Sequence, residues 1–336
     1  MKNFALIGCG AIAEMHATAI EAIDGAALCG VYDTRSESAA RFAKKHGCRV
    51  FSTVEELCSC PQVDIVSICT PSGLHADLAI MAAEAGKHIV VEKPMAITKE
   101  QLDRLVETVE SHHVKVEVIT QLRFSDAIKK TKKAIDEGRL GKILLADFRG
   151  KFFRSEEYYA MGGWRGTWAM DGGGALMNQG VHGVDLIQYL MGGIKSVSAL
   201  CRTQARSIET EDSAYLLVEY ANGAIGSIHS TTVAAPGYPR MIEISGEKGT
   251  IRLEEDCIIG WDIEGEEEEL GKTTSRASSD PMAFSHSMHM LQFQDLIDAI
   301  DNDRTPLVDV HEGRKPVDVI LAAYESSKTG CRVEIK

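Results

Sequence analysis

The sequence predicts an α/β chain in two parts. A doubly wound parallel-sheet domain is expected over residues 1–120, followed by an α+β domain over residues 121–336 built on an antiparallel sheet. Three observations carry this expectation. Strand-like and helical stretches alternate from the start, the alternation breaks down after the first 120 residues into strand following strand with tight turns, and 336 residues are too many for one ordinary domain.

In order, residues 4–7 form a short apolar strand and 11–23 a helix. Residues 26–32 form a second strand and 36–46 a helix with Ala39, Ala40 and Phe42 on one side and Arg41, Lys44 and Lys45 on the other. Residues 63–69 and 88–91 are continuous apolar runs, the pattern of strands covered on both faces. Between them 74–85 carries a helical apolar stripe stopped by Gly86; 99–111 is a further helix and 114–119 a strand. Short strand–helix connections imply parallel strands joined by right-handed crossovers. Beyond them, a helix over 126–138 leads to a strand over 143–153, a Gly/Trp/Tyr-rich loop through Asp171, and a helix over 174–191. Strands follow over 195–204, 214–220, 224–232, 240–245, 250–253 and 258–263, with Asn222-Gly223 and Glu247-Lys248-Gly249 as hairpin turns. The acidic run 264–269 reads as a solvated turn, 274–285 as a polar loop, and 288–300 and 314–326 as closing helices.

Composition removes several classes of function. The apolar fraction of 44% and charged fraction of 25% are those of a soluble globular chain. A formal charge of −13 without a basic stripe argues against nucleic acid, and no apolar run reaches the eighteen or so residues of a membrane span. Residues 4–13 faintly resemble a signal sequence, but Glu14 and His16 directly behind them favour a buried strand opening into a helix. Nine cysteines, an odd number lying mostly in apolar runs, indicate a reduced, cytoplasmic protein. His286 and His289 have no carboxylate or cysteine at metal spacing; they are expected to face solvent, and no metal is expected.

The chemistry concentrates at strand ends. Gly8-Cys9-Gly10-Ala11-Ile12-Ala13 follows a strand, opens a helix, and is followed by Asp33 at the end of the second strand. This is the context a dinucleotide requires: Gly8 for the turn, Gly10 for close approach of the pyrophosphate, Ala13 for helix–sheet packing, and helix N–H groups for the phosphates. Asp33 suits ribose hydroxyls and repels a 2′-phosphate, so NAD is favoured over NADP; Thr34 and Arg35 complete that lobe. The strand over 63–69 runs into Thr70, Pro71 and His75, and the strand over 88–91 into Glu92-Lys93-Pro94; Thr70, Pro71, His75, Glu92 and Lys93 are expected to contact the cofactor. Lys93 would project toward the nicotinamide crevice, where a desolvated lysine can exchange a proton with a substrate hydroxyl. In the second half, Asn178, His182 and Asp185 stand at i, i+4 and i+7, one face of an α-helix.

Together, Gly8-x-Gly10-x-x-Ala13 with His16, Thr70-Pro71 with His75, and Glu92-Lys93-Pro94 resemble the glucose–fructose oxidoreductase / inositol dehydrogenase / rhizopine-catabolism (Gfo/Idh/MocA) family, and the resemblance covers essentially the whole chain. It implies an N-terminal Rossmann domain, a C-terminal domain on a large, mostly antiparallel open sheet, and NAD(P)-dependent oxidation or reduction at a sugar or cyclitol hydroxyl. The family pattern Asp-x-Gly-x-His-x-x-Asp is met by Gly180, His182 and Asp185, with Asn178 where the first Asp is usual. The resemblance therefore makes Lys93, His182 and Asn178 the catalytic set. An amide cannot take a proton, which moves acid–base work to His182 and Lys93. The stretch from Trp164-Arg165 to Asn178-Gln179 is similar to the branch acting on UDP-N-acetylglucosaminuronate. Arg123 and Arg165 are candidate clamps for a carboxylate or phosphate, and Tyr158, Tyr159 and Trp164 candidate stacking faces for a sugar. Two other classes stay open: a lyase or hydrolase working through transient oxidation and elimination, and a dinucleotide sensor without catalysis. An open sheet with one uncovered face implies a homodimer or homotetramer.

Overall fold

The computed structural model describes residues 1–267, 270–271 and 286–335. The expected polar loop over 274–285 and the end of the acidic run lie outside the described residues. The chain divides into two compact units: Met1–Gln121 with Ser285–Arg314, and Leu122–Phe284 with Lys315–Lys336.

The first unit alternates as its apolar pattern dictates: β1 (Lys2–Ile7), α1 (Ala11–Glu21), β2 (Ala26–Tyr32), α2 (Ser36–His46), β3 (Arg49–Val50), α3 (Val54–Ser59), β4 (Ile65–Ile68), α4 (His75–Glu84), β5 (His88–Val91), α5 (Lys99–His112) and β6 (Val116–Val118). The six strands are parallel in the order β3-β2-β1-β4-β5-β6, a doubly wound Rossmann arrangement. β4 is buried on both faces, which is why its sequence is a continuous apolar run. The short β3 and α3 carry too little periodicity to be read from sequence. Thr53 caps α3 and Thr98 caps α5, each side chain accepting a backbone N–H three residues on.

The second unit opens with α6 (Asp126–Asp136), β7 (Ile143–Lys151) and the short α7 (Glu156–Ala160). A π-helical segment, Ala175–Gly180, runs directly into α8 (Val181–Met191). Strands β8 (Ile194–Arg202), β9 (Ser213–Tyr220), β10 (Ile225–Thr231), β11 (Met241–Gly246), β12 (Gly249–Glu254) and β13 (Cys257–Ile263) follow. With a final β14 (Val333–Glu334) they form an eight-stranded sheet, β13-β12-β11-β7-β10-β9-β8-β14, in which only the β7–β10 pair is parallel. Alternation decides its two faces. In β9, Ala214, Leu216, Val218 and Tyr220 are buried while Tyr215 and Leu217 are exposed. α8 covers the buried face, and its fully apolar flank (Val184, Leu186, Ile187, Leu190) contributes about 1.5–3 kcal/mol per large side chain removed from water.

One assignment by chain order is corrected. α9 (His286–Asp301) belongs to the first unit, not the second. Phe293, Leu296 and Ile297 join the cluster of Phe4, Ala13, Ala17 and Ile20, so α9 supplies apolar cover for β1 and α1. α10 (Val310–Thr329) is a single helix; within the second unit, its Tyr324 hydroxyl donates to Glu211.

Candidate functional site

In the first unit the turn after β1 has the geometry a dinucleotide needs. Gly8 adopts φ +97°, and a Cβ there would stand 2.6 Å from the Cys69 carbonyl oxygen, so only glycine fits. Gly10 has open space where its Cβ would be, and as the N-cap of α1 it offers no side chain to the helix. The first-turn N–H groups of α1, at Ala11 and Ile12, are thus left to an anion. Asp33 closes the turn: Oδ2 accepts the Cys9 N–H at 2.8 Å and Oδ1 the Arg35 N–H at 2.8 Å. Arg35 Nε lies 3.6 Å from the same carboxylate on an exposed side chain, and Thr34 is exposed beside it. Thr70, after β4, keeps Oγ1 buried without a hydrogen-bond partner among the described residues. These features suit NAD.

The loop carrying Lys93 is braced from beneath. Lys93 is half-buried, and its N–H donates to Glu92 Oε2 at 3.1 Å. Glu92 Oε1 meets His16 Nε2 at 3.0 Å; His16 Nδ1 meets Ser67 Oγ at 2.8 Å and Cys69 Sγ at 3.3 Å. Burial opposes charge on both partners. For His16, contact with Cys69 and Glu92 outweighs burial and raises its pKa; for Glu92, His16 outweighs burial and lowers it to about 2. The result is an imidazolium–carboxylate pair. Ligand atoms of His16, Glu92 and His289, all buried, lie within 4.8 Å of one another. His289, expected to face solvent, is buried against this pair because α9 packs on α1; His286 is exposed. His75 ties the two loops together, with Nδ1 2.7 Å from the Pro94 carbonyl and Nε2 2.7 Å from that of Thr70. Burial lowers its pKa, and a neutral ring donates to one of these carbonyls at a time. The sequence reading placed His75 and Glu92 among cofactor contacts. Both are buried and hydrogen-bond within the protein, where they brace the loops.

In the second unit, the continuous helix expected over 174–191 is two helices of different pitch. Asn178 lies on the π-helical segment, and His182 and Asp185 lie on α8. Asp185 is buried and binds Arg123 through both carboxylate oxygens, at 2.9 Å to Nε and 2.5 Å to Nη2. Arg123 is 1% exposed and packs over the Tyr189 ring at 4.3 Å. The expectation that Arg123 clamps substrate is therefore corrected: its guanidinium is committed to holding α8. Tyr159 is corrected likewise. It is buried, with its hydroxyl donating to Thr232 Oγ1 at 2.8 Å. Its neighbour Tyr158 is the half-exposed ring, and Arg165 packs over both Tyr158 (4.7 Å) and half-buried Trp164 (4.9 Å). His182 stands in the first turn of α8, 8% exposed. Asn178 Nδ2 donates to Asp171 Oδ1 at 2.6 Å, and Asn178 Oδ1 accepts from Gln179 Nε2 at 2.7 Å.

Sequence reasoning missed Asp171, Arg154 and Glu211. Glu211 anchors the start of the π-helical segment, accepting N–H bonds from Gly174 (3.0 Å) and Leu176 (2.8 Å) and the Tyr324 hydroxyl (2.9 Å). Its main chain comes so close that a Cβ on Gly174 would lie 2.0 Å from the Glu211 carbonyl oxygen, which explains part of the glycine triplet. Burial raises its carboxyl to about 7 against these three bonds. A carboxyl with its folded pKa above its unfolded value binds its proton more tightly when folded. Its contribution is therefore most favourable below the ordinary value of 4.5 and is lost as pH rises through about 7. Glu211→Gln removes this titration, so the stability of the variant relative to the natural protein should climb from about pH 5 to about pH 8 in urea unfolding. A flat difference would refute the raised carboxyl.

Comparison with known proteins agrees with this geometry. Residues 2–120 match the family "Oxidoreductase family, NAD-binding Rossmann fold", and residues 128–252 the "GFO/IDH/MocA C-terminal domain". Myo-inositol 2-dehydrogenase of Thermotoga maritima is 28% identical over 272 residues, 78% of each chain. The crystal structure of the WlbA dehydrogenase from Bordetella pertussis in complex with NADH and UDP-GlcNAcA superposes with a TM-score of 0.92 at 33% identity, covering 100% of this chain and 98% of that one. The WlbA dehydrogenase from Chromobacterium violaceum, in complex with the same two molecules, gives 0.90 at 34% identity, covering 100% and 96%. With a dinucleotide turn in one unit, the family's His–x–x–Asp helix in the other, and both halves matched, the chain belongs to the Gfo/Idh/MocA family of NAD-dependent sugar and cyclitol oxidoreductases.

Proposed function

We propose that the protein transfers a hydride between NAD and a secondary hydroxyl of a nucleotide-linked sugar acid, UDP-N-acetylglucosaminuronate or a close relative. The observation that carries this reading is the half-buried stack of Tyr158, Arg165 and Trp164. The stack is joined to the helix bearing Asn178 and His182 by a 3.0 Å hydrogen bond from Gln179 Nε2 to the Tyr158 hydroxyl. Aromatic faces suit a sugar ring and a guanidinium suits its carboxylate or phosphates. Two full-length neighbours, at 33% and 34% identity, were crystallised with UDP-GlcNAcA.

When bound, the nicotinamide takes up or supplies the hydride. The chain's own residues do the rest. Gly8, Gly10, Ala11 and Ile12 hold the pyrophosphate, Asp33, Thr34 and Arg35 the adenosine ribose, and Thr70 and Pro71 flank the nicotinamide side. His182 takes the hydroxyl proton, Lys93 holds that hydroxyl and favours its ionisation, and Asn178 orients it. The first domain thus binds cofactor and the second binds substrate and associates with further copies. Nine free cysteines fit a reducing cytoplasm, and no helix among the described residues is long and apolar enough to cross a membrane.

The exposed face of the eight-stranded sheet supports homo-oligomerisation. Leu200 pairs with Tyr215, Tyr215 stacks on His229, and Leu217, Ile225 and Leu145 continue the apolar surface. Leu217→Glu is expected to shift the protein to monomer in light scattering; an unchanged mass would remove this face from the interface. The function itself is tested by screening free and UDP-linked sugars, sugar acids and cyclitols for NADH fluorescence, with the Lys93→Met variant as blank. Turnover of free sugars alone would reject the nucleotide-sugar assignment, and product without net NADH would indicate elimination chemistry.

A further inference from the structure

Four side chains of the second unit form one continuous line of hydrogen bonds. Arg154 Nη2 donates to Gln179 Oε1 at 2.7 Å, Gln179 Nε2 to Asn178 Oδ1 at 2.7 Å, and Asn178 Nδ2 to Asp171 Oδ1 at 2.6 Å. Both ends are buried, Arg154 at 4% and Asp171 at 1% exposure, and Asp171 Oδ2 is itself fixed by the Gly166 N–H at 2.8 Å. The direction of the line follows from its ends. A guanidinium only donates and a carboxylate only accepts, so each amide between them has a single allowed orientation. Turning over either amide sets N–H against N–H or oxygen against oxygen at two contacts, each a lost, partly buried hydrogen bond.

We propose that Asp171 is a positioning residue for the dehydrogenase site. It accepts from Asn178, and with Arg154 at the far end it locks the Asn178 and Gln179 amides in the one orientation that presents them to substrate. This inference rests on the hydride-transfer reading above and adds to it where the negative charge next to Asn178 resides. The carboxylate is one hydrogen bond away from the helix, at the rim of the glycine loop, not on the helix at 178.

The line makes an unusual demand on mutants. Asn178→Asp places two carboxylates in hydrogen-bond contact, which forces them to share a proton near neutral pH. Asp171→Asn offers one acceptor oxygen to two donors, Asn178 Nδ2 and the Gly166 N–H, so one of these two contacts must then be mispaired. The double variant Asp171→Asn with Asn178→Asp matches every donor to an acceptor again. The amide introduced at position 171 donates to the carboxylate introduced at position 178, Gln179 Nε2 donates to that same carboxylate, and Gln179 Oε1 still accepts from Arg154.

The test is a double-mutant cycle on these four full-length proteins, read in two ways. Urea midpoints are measured first and need no substrate: each single variant is expected to lose stability and the double to recover most of it. Strictly additive midpoints would overturn the line. Initial rates with NAD and UDP-N-acetylglucosaminuronate are measured second across a pH series. Each single is expected to lose about 10-fold or more in kcat, the scale of one mispaired, partly buried hydrogen bond, with the KM for NAD unchanged. Asn178→Asp should also gain a new ionisation in its pH profile that the double lacks. Recovery of stability without recovery of kcat would make Asp171 structural only. A natural protein inactive on this probe would reject the substrate reading, while the urea cycle would still decide the line.

Discussion

Methionine in place of Lys93 is expected to abolish measurable turnover, lowering kcat by roughly 10²–10⁴-fold, while NADH binds within a few-fold of its normal affinity. The two halves of this expectation have separate origins. Cofactor binding is assigned above to the Gly8–Gly10 turn, the open N-terminus of α1 and Asp33, and the bond that closes this turn runs from the Cys9 N–H to Asp33. Turnover depends on a hydroxyl proton leaving as the hydride does, and methionine keeps the length of the side chain without a group to hold or polarise that hydroxyl. The loop should survive as well, because its support is the His16–Glu92 pair and the Lys93 main-chain N–H. Stopped-flow NADH fluorescence for binding and steady-state rates for turnover separate the two. A variant with full kcat would remove Lys93 from the mechanism. Equal loss of NADH affinity and rate would make it a cofactor ligand only.

What the sequence reveals about this molecule depends on how local the governing physics is. The Rossmann order was legible because each strand is a buried apolar run and each helix a periodic stripe; α2 and β5 span the residues their patterns mark. The Gly8–Asp33 pairing was legible too, since a turn that admits only glycine and a carboxylate at the next strand end are both local signals. Tertiary competition hid the rest. Arg123 looks like a free cation in the sequence, yet Asp185, 62 residues away, claims it. The apolar content of α9 was visible, but not that Phe4 and Ile20, near the opposite end of the chain, were its partners. No periodicity announces the π-helical segment. Its start is received by Glu211, more than thirty residues along the chain, which also accepts the Tyr324 hydroxyl. Asp171 could have been suspected only from a carboxylate placed directly before three glycines.

Arg123→Met is expected to cost about 3–5 kcal/mol of stability, because it strands a carboxylate that is 1% exposed inside the protein. The pair itself contributes much less than that, since desolvating both charges offsets most of their attraction; the penalty comes from leaving one behind. Arg123→Met combined with Asp185→Leu should therefore recover most of the loss, and urea unfolding of the three variants measures it. The same series decides what Arg123 is for. A substrate clamp would raise KM for the sugar with stability little changed, and removing Asp185 as well would bring no relief. A structural pair that fixes α8 predicts the reverse: large instability in the single variant and rescue in the double. The double variant's kcat should recover with its stability, because His182 stands one turn before Asp185 on the same helix and returns to place when the helix does.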